Sequence, residues 1–121
     1  INKNLFWCIC VNANEYITGE TPSLDDFNND SINVVIGTDS LASNHQLSVW
    51  EELKTLSRLN KNIPFERLIE WATWNGAKAL GKQNDLGKIK PGYRPGLVSI
   101  NNINYNTLSI GAESGCRRII V

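Results

Sequence analysis

Val34-Val35-Ile36-Gly37-Thr38-Asp39-Ser40-Leu41-Ala42-Ser43-Asn44 is the stretch on which the fold turns. Its start, Asn33 to Ile36, is a short apolar run without polar alternation, the pattern of a strand covered on both faces in a parallel sheet. The run ends in the polar turn Gly37-Thr38-Asp39-Ser40. Upstream, Leu5-Phe6-Trp7-Cys8-Ile9-Cys10-Val11 is a second continuous apolar run and reads as a second strand covered on both faces. Between the two, Thr21-Pro22 reads as an N-cap followed by Pro at the first helical position. It opens a short predicted helix through Leu24 and Phe27. Asp25 and Asp26 fall in its first turn, where the helix dipole favours anions. Strand, helix and strand at this spacing make a right-handed βαβ unit.

Downstream the period changes. Val49, Trp50, Leu53, Leu56 and Leu59 recur every three or four residues, which predicts an amphipathic helix from Leu47 that Asn60-Lys61-Asn62 breaks. Pro64 starts another helix, with Phe65, Leu68, Ile69, Ala72, Gly76 and Leu80 on one stripe and Gly81 just past its end. Gly87, Pro91, Gly92, Pro95 and Gly96 then punctuate turns. Leu97 to Ile100, Asn104 to Ile110 and Arg117 to Val121 read as short strands. The fold class is therefore α/β with a β-rich tail.

Composition limits the function. The chain has 121 residues, with 12 Lys+Arg against 12 Asp+Glu. A net charge of zero removes the long-range attraction to phosphate backbones or anionic lipid, which argues against nucleic-acid and membrane partners. No apolar run approaches the ~20 residues that span a bilayer. The 41% hydrophobic content excludes a disordered chain. There is no Met, and the chain opens at Ile1 on the edge of an apolar strand. The expectation is the C-terminal part of a longer protein. Three Cys without a secretory signal favour free thiols and a reducing, cytoplasmic setting.

Asp39 is the leading candidate for chemistry. It directly follows an apolar strand, and ligands bind at the C-terminal ends of strands in parallel α/β folds. A carboxylate there can ligate a metal or accept a proton from water; the alternative is a turn or N-cap Asp. His45 is the only His, and one His cannot make a zinc site. Cys8 and Cys10 lie two apart on a strand and so share a face. With Cys116 and His45 they form no recognisable metal or nucleophile pattern, and buried thiols are the simpler reading. Gly87-Lys88-Ile89-Lys90-Pro91-Gly92 lacks phosphate-loop spacing and reads as a turn. Trp50, Trp71 and Trp74 read as packing residues. Glu51-Glu52 and Arg117-Arg118 read as solvated charges.

Four segments together resemble one family. Val34 to Asn44 is similar to the eighth barrel strand and G-T-D-[SG] turn of the metal-dependent amidohydrolases, in the branch of cytosine, guanine and adenosine-derivative deaminases and chlorohydrolases. Ala72-Thr73-Trp74-Asn75-Gly76-Ala77-Lys78-Ala79-Leu80-Gly81 is similar to that family's A-T-x-N-G-A-x-x-L-G helix. Leu86-Gly87-Lys88-Ile89-Lys90-Pro91-Gly92 resembles its L-G-S-I-x-x-G segment. Cys10-Val11-Asn12-Ala13-Asn14 resembles a strand-seven ending written C-P-x-[SA]-N. Two departures stand out: Val11 replaces the usual Pro, and Arg94-Pro95-Gly96 replaces Lys-x-Ala-Asp.

The resemblance implies the last two βα units of a (β/α)8 barrel over residues 1–82, comprising strands seven and eight with their following helices. Residues 83–121 would supply C-terminal strands of the small β-sandwich domain. It implies a hydrolase acting on carbon-nitrogen bonds other than peptide bonds, most simply the hydrolytic deamination of a heterocyclic amine. Asp39 would be both metal ligand and proton shuttle, with Asn14, Ser40 and His45 near the substrate. The cofactor would be a divalent metal, zinc or iron, held in the parent protein and not by this segment alone. Its histidine ligands would lie upstream of Ile1. The implied partners are a small heterocyclic substrate, the N-terminal remainder of the same protein and a homo-oligomer. The segment by itself would be inactive. The alternative is a non-catalytic homologue or interaction module without the metal-binding histidines.

Overall fold

A computed structural model describes residues 5–120. Two strands, β1 (Phe6–Ile9) and β2 (Asn33–Ile36), pair in parallel with Phe6 opposite Asn33 and Ile9 opposite Ile36. The crossover between them begins as α1 (Val11–Thr18), starts immediately after β1, and ends at Gly19 in the left-handed conformation with φ 71°. The βαβ unit expected from the sequence is present, but its helix lies elsewhere. Thr21-Pro22 caps nothing, and Asp25–Phe27 forms only a single 3-10 turn preceded by Leu24. Leu24 is fully buried and pins that turn to the core. The early apolar run is likewise shorter as a strand than it reads. Val11 has turned into α1 and is buried on its inner face, whereas Trp7 and Cys8 are exposed. Residues 1–4, where the sequence places a strand edge, and Val121 lie outside the described residues.

Three helical segments follow. Ser48 caps α2 (Val49–Leu59), its Oγ accepting from the Glu51 N–H, and the helix ends at Asn60 as its sequence requires. Pro64 precedes α3 (Phe65–Glu70), which widens into a π-helical turn at Trp71–Asn75 and continues as α4 (Gly76–Ala79). The widened turn buries both Trp71 and Asn75. Gly81, with φ +66°, follows the last turn. Ile9, Val11, Leu24, Val34, Leu53, Leu56, Ile63, Leu68 and Trp71 form one core between the strands and these helices.

The tail is an antiparallel pair, β3 (Leu97–Asn101) and β4 (Gly115–Ile120), with an irregular register between Leu97 and Val98. The strand expected over Asn104 to Ile110 reduces to an isolated bridge between Asn104 and Ser109, because Asn104 Oδ1 accepts from the Asn106 and Thr107 N–H groups and curls the chain. The tail docks on the helices through Gly87. A Cβ there would lie 2.8 Å from Ala77 Cβ and 3.0 Å from Trp74 Cα, so only glycine permits the approach. Lys88 Nζ lies 3.6 Å from the centre of the Trp74 ring, a close cation–π contact. Among the described residues, no helix is long and apolar enough to cross a membrane.

Leu56 is fully buried at the centre of the core, while Leu80 is 76% exposed. In denaturant unfolding, Leu56→Ala is expected to cost about 2–5 kcal/mol. Leu80→Ala is expected to stay within about 0.5 kcal/mol of the parent. Equal costs would contradict the core as described.

Candidate functional site

The candidate site lies where β1 and β2 end. Beyond β2 the chain runs through Gly37 and Thr38 into Asp39, which has φ 56°. Asp tolerates this left-handed region better than most side chains, because its short polar group bonds locally. Here Ser43 Oγ donates its one proton to Asp39 Oδ2 at 2.6 Å, with the Ser40 carbonyl oxygen 3.2 Å from the same hydroxyl. Ser40 Oγ is 3.4 Å from Ser43 Oγ. Among the described residues no hydrogen bond reaches Asp39 Oδ1, so one carboxylate oxygen stays available on an exposed side chain.

Beneath this turn lies a carboxylate that the sequence reading assigned to solvent. Glu52 is fully buried. Its Oε1 accepts from Asn44 Nδ2 at 2.8 Å, and its Oε2 accepts from the Asn12 N–H at 3.0 Å. Asn44 Nδ2 also donates to the Thr38 carbonyl at 2.8 Å. One side chain on α2 thus ties the segment after β1 to the turn that carries Asp39. A signal for it exists in the sequence: Glu52 lies three residues after Val49 and four before Leu56, on the apolar stripe of its own helix. It also lies in the first turn, where the helix dipole supports an anion. Glu51 fits the solvated reading better, pairing with Lys54 at 3.5 Å.

The other predicted residues are divided between locations. Ser40 is beside Asp39. His45 packs edge-on against Tyr16 with ring centres 5.1 Å apart. The two line a cavity of about 270 Å³ with Asn12, Glu15, Asn44 and Gln46 among its other walls. Asp39, Ser40 and Asn14 are not among its lining residues. Asn14 is exposed on α1, its carbonyl accepting from Thr18 Oγ1 at 2.8 Å. Cys8 and Cys10 do share a face, with their sulfurs 3.9 Å apart. Burial pushes the Cys10 thiol up to about 11, reinforced by the neighbouring Cys8, while the Asp39 main-chain N–H opposes the shift. Cys116 lies apart on β4, and its thiol is also raised by burial.

Among the described residues no three His, Cys, Asp or Glu side chains gather to hold a metal. Asp39 suits a metal as a single carboxylate donor with one oxygen available. A zinc centre takes three or four protein ligands, so the others would have to come from elsewhere.

The sequence profile of the amidohydrolase family matches residues 1–119. A 5-methylthioadenosine/S-adenosylhomocysteine deaminase of Clostridium tetani is 36% identical over 107 residues, covering 74% of this chain and 25% of that protein. The corresponding deaminase of Syntrophomonas wolfei is 38% identical over 77 residues, covering 58% and 18%. A 5'-deoxyadenosine deaminase of Methanosarcina acetivorans is 38% identical over 77 residues, covering 58% and 17%. Among solved structures, a zinc-bound adenosine deaminase of Xanthomonas campestris superposes with a TM-score of 0.69 at 28% identity, covering 77% of this chain and 23% of that one. The chain therefore spans a quarter or less of the length of these relatives.

Glu52→Gln tests the buried network. An amide has one acceptor oxygen, so its NH₂ would face either Asn44 Nδ2 or the Asn12 N–H, donor against donor. The expected cost is about 1–3 kcal/mol in denaturant unfolding, whereas Glu51→Gln should change little. Equal small effects would show that Glu52 carries no such load.

Proposed function

The chain belongs to the amidohydrolase family, and we propose that it is the C-terminal barrel portion of a metal-dependent enzyme that hydrolytically deaminates an adenosine-type nucleoside. In this reading β1 and β2 are the last two barrel strands, α1 to α4 accompany them, and β3 and β4 belong to the small β-sandwich domain. The substrate class rests on the relatives, which are deaminases of 5-methylthioadenosine and S-adenosylhomocysteine or of 5'-deoxyadenosine. The observation that carries the mechanism is the position of Asp39, one residue past a Gly-Thr turn at the C-terminal end of a parallel strand, with Oδ1 available.

The metal that this family implies would be held in part by Asp39, with its remaining ligands supplied from outside the described residues. When bound, such an ion supplies the Lewis acidity that makes water nucleophilic near neutral pH. The work of this chain is to hold and move a proton. The Asp39 carboxylate accepts the proton of the attacking water and returns it to the departing amine, so that ammonia leaves as a neutral group. Ser43 fixes the carboxylate by bonding Oδ2, which leaves Oδ1 to face the reaction. The Glu52 and Asn44 bonds hold the turn against the main chain of the neighbouring strand's exit. Of the three substrate-proximal candidates, Ser40 adjoins Asp39 in the turn and His45 stands at the wall of the small cavity, while Asn14 lies apart on the exposed side of α1.

The test is Asp39→Asn in the intact protein, with ammonia release from 5'-deoxyadenosine or methylthioadenosine as the readout. The expected loss in kcat is roughly 10²- to 10⁴-fold, because the amide can neither accept nor return the proton. Substrate binding should be retained. Turnover at the parent rate would overturn the assignment of Asp39, and a parent protein that releases no ammonia from any such nucleoside would overturn the substrate class.

A further inference from the structure

Cys8 and Cys10 play no part in the proposed reaction, yet their placement is specific. Their Sγ atoms stand 3.9 Å apart, and both face Gly37. A Cβ built on Gly37 would lie 2.7 Å from Cys8 Sγ and 3.1 Å from Cys10 Sγ. The two sulfurs therefore fill the notch that a side chain on the neighbouring strand would occupy. Both thiols are free, and Cys8 is exposed.

The separation is within reach of a chelate. Two sulfurs joined to one atom by bonds of about 2.3 Å at a tetrahedral angle stand about 3.8 Å apart, and the narrower pyramidal angle at a trivalent atom brings them a few tenths of an ångström closer, a shift that side-chain rotation supplies. A zinc ion would want further donors, and no third ligand gathers here among the described residues. A trivalent organoarsenical wants only two sulfurs, since carbon fills its third valence. A direct disulfide is less well suited. Residues two apart on a strand have Cα atoms about 6.6 Å apart, at the upper end of the disulfide range. A bridging atom needs far less approach than an S–S bond of about 2.05 Å.

We propose that Cys8 and Cys10 form a two-thiol chelating site for a trivalent organoarsenical, preset by the absence of a side chain at Gly37. With an aryl arsenic(III) oxide, two S–H bonds and the arsenic–oxygen bonding break while two As–S bonds form. Both protons leave with the oxygen as water, and arsenic stays trivalent. The adduct sits against Gly37, two residues before Asp39. The chelate itself does not depend on Asp39 being catalytic.

The experiment uses the reduced full chain, phenylarsine oxide as the probe, and intact-mass and peptide-mass measurement. One aryl-arsenic adduct per chain is expected, surviving excess 2-mercaptoethanol and released by 2,3-dimercaptopropanol. Peptide mapping of the parent adduct should place the arsenic on the peptide carrying Cys8 and Cys10. The adduct should be lost in Cys8→Ser and in Cys10→Ser and kept in Cys116→Ser. Gly37→Ala keeps both thiols but crowds them, and its adduct should be several-fold more easily displaced by the monothiol. Arsenic on the Cys116 peptide, or a monothiol-resistant adduct in Cys8→Ser or Cys10→Ser, would overturn the site. Gly37→Ala behaving as the parent would overturn its presetting by the fold. Mapping on the parent chain decides the location even where a variant fails to fold.

Discussion

A single buried carboxylate holds the functional end of the structure together. Glu52 has no cation beside it among the described residues, and burying such a group without partners would be costly. It is tolerated because two donors converge on its two oxygens and because it sits in the first turn of α2. The donors come from different places in the chain. The Asn12 N–H opens α1, and Asn44 closes the turn after β2. Since Asn44 also bonds the Thr38 carbonyl, the fixed point extends to the residue before Asp39. The main chain just before the exposed Asp39 is thus anchored through a buried residue, while Ser43 orients the carboxylate itself.

A second constraint explains why the family-like segments occur together. Asn75 Nδ2 donates to the Val34 carbonyl at 2.9 Å, joining the helix segment to β2. Ile9 accepts from Gly37, so the alternation of a parallel ladder leaves Val34 facing away from β1. Asn75 therefore satisfies an acceptor that the pairing with β1 does not reach. Two residues on, Ala77 meets the notch at Gly87. The Asn-Gly-Ala helix and the Leu-Gly turn are complementary surfaces of one joint, with Lys88 over Trp74 closing it from outside.

These joints mark what could be read in the sequence. The parallel pair, the period of α2, the Pro64 start and the Gly81 stop follow from local chemistry. The place of Asp39 just past a strand end was legible because a polar turn after an apolar strand is a local signal. The crossover helix was missed because Val11-Asn12-Ala13-Asn14 carries little helical amphipathicity, and its Asn residues are weak helix formers. Its position is set by Val11 and Ala13 packing inward, which is tertiary information. Glu52 was misread for the same reason. A pair of Glu residues looks like a solvated face until the two donors are known, and one lies 40 residues away. Asn104 to Ile110 failed as a strand because its Asn side chain competes with the ladder.

The two faces of the parallel pair differ in a way that bears on the proposed reaction. Strand alternation sends successive side chains to opposite faces. Val34 joins Leu53, Leu56 and Trp71 in the core on the helix side. The other face carries Cys8 beside Gly37, and Asp39 follows two residues on. In a closed parallel barrel the helices lie outside, and the opposite face looks inward, opening at the C-terminal strand ends. In the proposed reading, a packed helix side and a second side carrying thiols, glycine and carboxylate are what two adjacent barrel strands would present. On the same reading, the exposure of Cys8 and Asp39 belongs to the barrel's interior and edge. In that reading, the strand ends that leave Asp39 exposed are the ones that would bring it to a shared centre.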